Sequence, residues 1–341
     1  VVVSTNIAGV MARRALGRTG GILGVDVITV GRVAELIAGP SLAAERRQPV
    51  STPVLEVTVA DVLDESPGMF RDVADHATTI GALRRIHEEL RLVGPDGAEA
   101  LAARGRRGAE VVRVSRAVER RLRRRWYDDA DVLDRAVELL ADGTPPRRRR
   151  LVFHLPQRFD PASARFVRRL AELVPTTIVT ARTGHPEADA GANAAVRAIG
   201  GALPRHDDAT SIRPHRVVTT TDADDEVRLA VRTVVDAARG DLTGEPVPFE
   251  RIGVFWPDHV PYARLVEHHL SADLVPWNGR GGVAVAERIA PRLLLDLLDV
   301  DRRNFRRTDL FDLLADVPAR DTDGRRRPTA EWQRLTRAAG I

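Results

Sequence analysis

Short continuous apolar runs alternate along this chain with stretches in which apolar residues recur every three or four positions. Val1 to Val3 predicts a buried strand, followed by a helix over about Ala8 to Leu16. Gly17, Gly20, Gly21 and Gly24 interrupt the chain before Val25 to Val30, a second predicted strand, and a helix over about Arg32 to Ile37. Strand–helix alternation of this kind predicts a parallel sheet covered by helices. From about Pro53 to Ala141 the pattern is almost purely helical: Val111, Val114, Ser115, Val118 and Leu122 share one face, as do Val132, Leu133, Ala136, Leu139 and Leu140. GTPPRRRR at 143–150 reads as a linker, because Pro-Pro stops a helix and the charges stay in water.

Alternation resumes with LVFHL at 151–155 as a strand, a helix over Asp160 to Leu173 and TTIVTA at 176–181 as another strand. Thr183 to Arg213 is mixed and Gly-rich, a connection with one short helix. A second α/β unit is predicted from His215: a strand in HRVVTTT, a helix over Asp222 to Arg239, a buried strand in RIGVFW at 251–256 and a helix over Pro261 to Leu270. After Gly279 to Gly282 the pattern is helical to residue 341, and no internal repeat is visible.

Composition narrows the chemistry. The 341 residues are 43% hydrophobic, enough for two cored domains. No apolar run approaches membrane-spanning length and the N-terminus lacks secretory-signal features, so a cytoplasmic protein with no membrane partner is the plain reading. The chain has no cysteine, which removes disulfides, thiol nucleophiles and Cys-bound zinc or iron–sulfur clusters. All 52 basic residues are Arg, so a P-loop lysine, a Schiff-base lysine and a lysine general base are equally excluded. The net charge of +4 permits a nucleic-acid partner without requiring one.

Four segments, in order, resemble superfamily 1 helicases and specifically the AddB-like helicase–nuclease subunits. STNIAGVMARRAL at 4–16 is similar to the strand–loop–helix unit that follows the P-loop in those helicases; the resemblance places Ser4, Thr5 and Asn6 on a loop touching the DNA backbone. VDVITVGRVAELI at 25–37 resembles the next unit, with Thr29 and Arg32 approaching single-stranded DNA. LVFHLPQRFDPASARFVRRLAEL at 151–173 resembles the Walker B strand and its following Gln, here Gln157, but His154 and Leu155 stand in the region of the acidic pair that holds magnesium. The segment from Asp224 through Val300 resembles the opening of the second motor domain, with Trp256 and Pro257 where an Arg would reach the γ-phosphate.

The resemblance implies an α/β fold of two RecA-like parallel-sheet domains: residues 1–48 plus 147–213 as a degenerate first domain, 49–146 as a helical insertion, 214–288 as a partial second domain and 289–341 as the start of a second helical subdomain. It implies a helicase-like, DNA-handling part of a helicase–nuclease subunit for double-strand break repair and recombination. The implied partners are DNA, single-stranded or at duplex ends, and a motor helicase–nuclease subunit. No catalytic residue and no cofactor is assigned to this chain. The P-loop is expected before residue 1, and the later helicase motifs and the PD-(D/E)XK nuclease after residue 341.

Other features have competing readings. The run RRLRRRWYDDAD at 120–131 offers Arg123, Arg124, Arg125 and Trp126 to grip a DNA backbone and stack a base; the same run also fits a solvated helix face with its arginines paired to Asp128, Asp129 and Asp131. Arg147 to Arg150 poses the same choice. DADDE at 222–226 fits helix capping better than metal binding, and no His pair has metal-ligand spacing. GRTGGILG at 17–24 follows a helix instead of opening one, and neither it nor GRGG at 279–282 reads as a phosphate loop. Trp256, Tyr262 and Trp277 fit a core or an interface better than a stacking platform. Two alternatives stand beside the helicase reading: a nucleotide-dependent enzyme on a doubly wound sheet, and a non-catalytic scaffold for protein partners.

Overall fold

The computed structural model describes all residues except 22, 145, 147, 204–215, 243, 259, 280–287, 302–303, 317–319, 321, 326 and 341. Expectations on Arg147, on the 279–282 turn beyond Gly279 and on the ends of the segments meeting at 204–215 therefore lie outside the described residues. The chain divides into two units, Val1–Pro214 and His215–Ile341.

In chain order the first unit contains β1 (Val2–Val3), α1 (Asn6–Arg18), β2 (Ile28–Thr29), α2 (Val30–Ala44), β3 (Gln48–Pro49), α3 (Thr52–Glu65), a 3-10 turn at Gly68–Val73, α4 (Ala77–Val93), α5 (Pro95–Ala102), α6 (Arg106–Leu122), β4 (Trp126–Tyr127), α7 (Asp129–Ala141), β5 (Leu151–His154), α8 (Pro161–Leu173), β6 (Thr176–Val179) and α9 (Pro186–Ile199). The fold is α/β, mostly helical, with one four-stranded parallel sheet in the order β2-β1-β5-β6. Val2 pairs with Ile28 and Phe153, and Val3 with Thr29 and His154.

Successive residues of a strand face opposite sides, so β1 must be covered on both. Val2 lies in a core with Val33 and Leu42 of α2, Leu133 and Leu140 of α7, Phe153 of β5 and Phe166 of α8. Val3 faces α1, whose Gly9 comes so near that a Cβ there would stand 3.3 Å from Val3 Cγ2. Connections run from β1 through α1 to β2 on one side and from β5 through α8 to β6 on the other. The chain therefore changes direction across the sheet between β1 and β5.

The helical layer has its own core of Leu55, Val59, Val62 and Leu63 on α3, Leu83 on α4, and Val114, Val118 and Leu122 on α6. Its entry and exit are tied by the two-stranded parallel ladder β3–β4, with Gln48 opposite Trp126 and Pro49 opposite Tyr127. α7, expected within the helical insertion, packs instead in the sheet core through Val132, Leu133, Ala136 and Leu140.

Charge joins the layer to the sheet. The Arg91 guanidinium of α4 meets Glu119 of α6 at 2.8 Å, Asp128 at 2.7 Å and Asp131 at 2.9 Å. Asp128 also caps α7 in a reciprocal capping box with Asp131. Burial works against the Arg91 cation, but hydrogen bonding and attraction from Asp128, with Glu119 and Asp131, outweigh it and raise its pKa. Burial likewise opposes the Asp128 anion, and the bond from Arg91 overrides it and lowers the pKa. Beneath lies His87, 2% exposed, with Nδ1 2.8 Å from Ser115 Oγ. Burial is the largest cause of its pKa falling to about 4, so the ring is neutral at pH 7.

Local differences from the sequence reading have simple causes. The predicted strand Val25–Val30 forms a ladder only at Ile28–Thr29, and Thr29 already caps the next helix. TTIVTA narrows to Thr176–Val179. The short helix expected after Thr183 is a 14-residue one, begun by Pro186 at its first turn and stopped by Gly200 at φ 91°. Inside that helix Asp189 accepts from Thr183 N at 2.7 Å, Thr183 Oγ1 at 3.0 Å and Gly184 N at 3.1 Å, bonds that lower its pKa and fix the turn after β6.

The second unit contains α10 (Ala223–Arg239), a 3-10 turn at Phe249–Arg251, α11 (Tyr262–Ala272), α12 (Ile289–Val300), α13 (Arg307–Asp316) and α14 (Thr329–Ala338). Its core joins Val227, Val231 and Val234 of α10 to Val266 and Leu270 of α11. No strand forms among the described residues of this unit, a difference both from the strand expected in HRVVTTT, described over 216–221, and from the buried strand expected at 251–256. There Ile252, Val254 and Trp256 lie against the helices while Phe255 is 95% exposed, so only one face of the segment is covered.

Candidate nucleic-acid interface

The carboxyl ends of the parallel strands collect the polar residues singled out in the sequence. Thr5 follows β1 and caps α1, its Oγ1 accepting from Ala8 N at 3.1 Å. Thr29 ends β2 and caps α2, its Oγ1 accepting from Arg32 N at 3.4 Å. In both threonines the hydroxyl proton remains available for donation. The pairing of Val3 with Thr29 sets Ser4, Thr5 and Asn6 beside Thr29 and Arg32, although 24 residues or more separate most of these positions. Ser4, Thr5, Asn6 and Arg32 are exposed and Thr29 is half-buried.

Between β1 and β5, where the sheet reverses direction, a cleft with a volume of about 200 Å³ is lined by Ser4, Thr29, Gly31, Gln157, Arg158 and Asp160 among others. Open parallel sheets bind ligands at such a point, outside the strand ends. This cleft is smaller than the roughly 300–1,000 Å³ of pockets that enclose whole small molecules. It has room for a phosphate or a sugar edge, with donors from Ser4, Thr29, Gln157 and Arg158. A second, neighbouring recess is lined by Asn6, Arg13, Thr29 and Arg32. Arg32 bonds to Glu35 at 2.6 Å with both side chains about half exposed. Such a pair is worth at most about 1 kcal/mol and exchanges readily for a phosphate. Asp160 is engaged as the cap of α8, accepting from Ser163 N at 2.8 Å. Leu155, just past β5, holds a left-handed backbone with φ 48°, and its N–H donates to Val179 O at 2.8 Å.

Arg123, Arg124 and Arg125 occupy the turn between α6 and β4, away from the strand ends, and are exposed. Neither sequence reading of this run describes the whole of it. Asp128 and Asp131 are paired, but with Arg91 and Arg47. Asp129 is not ion-paired among the described residues; burial, then the neighbouring Asp128, raise its pKa. Trp126, expected to stack on a base, is half-buried and packs against the helical core. Its carbonyl accepts from Arg47 Nη2 at 2.7 Å.

In the second unit Asp222 caps α10, accepting from Asp225 N at 2.9 Å. Asp224 bonds to His269 Nε2 at 2.8 Å, and Glu226 accepts from Tyr262 OH at 2.6 Å. The acidic run is thus committed to helix and helix-pair contacts. Trp256, Tyr262 and Trp277 pack on the core of that unit. Among the described residues no group of three or more His, Asp or Glu side chains could hold a metal ion. No described helix is long and apolar enough to cross a membrane.

The residues missed by sequence reading are Arg91 and Arg47, which pair with Asp128 and Asp131 of the charged run, and Arg158, which lines the cleft. Nothing in their local sequence separates them from the other arginines. No protein-family model and no curated protein matches the chain.

Proposed function

We propose that this chain is the DNA-handling, helicase-like portion of an AddB-like helicase–nuclease subunit for double-strand break repair. In this reading the first unit is a RecA-like lobe interrupted by the helical layer, the second unit, which forms no strand among its described residues, stands where a second such lobe is expected, and the chain does not hydrolyse ATP by itself. The observation that carries the reading is the adjacency of the turns after β1 and β2. The resemblance assigns DNA contacts to these two turns, and the parallel pairing of Val3 with Thr29 brings them to one edge. Ser4, Thr5, Asn6, Thr29 and Arg32 supply hydroxyl, amide and guanidinium donors there. Such donors grip phosphate oxygens and position a strand without reading its bases. His154 and Leu155 at the end of β5 offer no carboxylate for magnesium. The size of the cleft favours a backbone contact over an enclosed nucleotide.

The test is fluorescence anisotropy with labelled single-stranded and forked oligonucleotides at 50 and 200 mM salt. Binding at low salt that weakens steeply at high salt, and weakens further on Asn6→Ala with Arg32→Ala, is expected. No binding of either probe at 50 mM salt refutes the proposal, as does DNA-stimulated ATP hydrolysis by the purified chain for its second part.

A further inference from the structure

The turn after α6 is not isolated. The β3–β4 ladder brings the chain leaving α2 alongside it, with Gln48 N donating to Arg125 O at 2.8 Å. Arg46 therefore reaches the same corner as Arg123, Arg124 and Arg125, while Arg120 lies on the last turn of α6. All five are exposed, and none is in an ion pair among the described residues. Most acids near them are already taken, Glu45 by Arg135, Glu119 by Arg91, Asp128 by Arg91 and Asp131 by Arg47 and Arg91, and Glu65 of α3 is held by Arg121; Asp129 alone of the acids in the charged run stays out of an ion pair among the described residues. Arg47, between Arg46 and the ladder, turns inward to Trp126 O and Asp131. Arg46 itself, at φ 58°, is held in a left-handed turn that points the chain into β3.

We propose that Arg46, Arg120, Arg123, Arg124 and Arg125 form one surface, separate from the strand-end cleft, that binds the phosphodiester backbone of a nucleic acid without touching its bases. It rests on the nucleic-acid reading above and adds a second point of contact on the same unit. Charge complementarity selects the occupant: five unneutralised guanidinium groups fit a regularly spaced row of phosphates, each able to take a bidentate pair. The aromatic side chains beside the corner, Trp126 and Tyr127 of β4, are half-buried and pack against the helical and sheet cores, which favours backbone contact over base stacking. Affinity here comes from released counterions, about 0.7 in the slope of log K against log salt per phosphate contact on a single strand.

The experiment compares a labelled 20-nucleotide oligothymidylate, an abasic deoxyribose-phosphate strand of the same length and a polyglutamate chain. Each is titrated with the full chain and with a variant carrying Arg46→Gly, Arg123→Ala, Arg124→Ala and Arg125→Ala. The variant is expected to lose about 2.8 from the salt slope, and to lose it equally on the natural and abasic strands. Lysine at 123, 124 and 125 should keep the slope, and circular dichroism should show the exposed substitutions leave the fold intact. An unchanged slope in a variant whose parent binds DNA overturns the corner but not the strand-end site. A loss seen only on the natural strand overturns backbone-only contact, and equal binding of polyglutamate reassigns the surface to an acidic protein. If the parent chain binds neither strand, the nucleic-acid reading falls and this surface with it.

Discussion

Acidification should loosen the helical layer through one imidazole. His87 is 2% exposed and its pKa lies near 4, against an ordinary value of 6.5, mainly because burial disfavours its charge. Between those two values the unfolded chain takes up a proton that the folded chain refuses, so stability rises with pH there and is lost as pH falls. The whole displacement, from 6.5 to about 4, corresponds to about 3 kcal/mol. At pH 5 about 2 kcal/mol of it has been lost relative to pH 7. The assay is urea unfolding followed by circular dichroism at both values, for the native chain and for His87→Asn, whose amide can keep the bond to Ser115. The variant should be less stable at pH 7 because its packing is poorer, yet it should lose about 2 kcal/mol less than the native chain on going to pH 5. The lowered pKa values of Asp128 and Asp189 act in a different window, where stability is present above the ordinary carboxylate pKa and is lost as pH falls through the depressed one. Equal losses in the native chain and the variant between pH 7 and pH 5 would refute the argument.

Three further outcomes follow from the packing. Arg91→Ala leaves Asp128 and Asp131 short of their shared cation and should cost about 3 kcal/mol in chemical unfolding, with faster hydrogen exchange across α4 and α7. Phe166→Ala empties the centre of the sheet core and should cost about 3–5 kcal/mol by the same assay; a loss under 1 kcal/mol would mean that α8 is not seated on the sheet. Gly9→Val puts methyl groups where even a Cβ stands 3.3 Å from Val3, and should destabilise by about 1–3 kcal/mol while Gly17→Ala, with open space around it, should not.

The sequence alone determined what depends on neighbours along the chain. Helix spacing, the cap at Asp222 and the α/β class were legible because a helix satisfies its hydrogen bonds locally and shows its buried face every three or four residues. The lack of lysine and cysteine removed whole chemistries before any fold was known. Tertiary structure decided what depends on pairing across long separations. Strands of two residues, such as Val2–Val3 and Ile28–Thr29, carry no period from which order or register can be read. Only the ladder set Ser4 to Asn6 beside Thr29, and only the ladder between Gln48 and Trp126 brought Arg46 to Arg125. The charged run was undecided in sequence because its acids had arginine neighbours on both sides. Folding gave Asp128 to Arg91 and Asp131 to Arg47 across 37 and 84 residues, since a half-buried carboxylate needs a partner shielded from water while an exposed arginine does not.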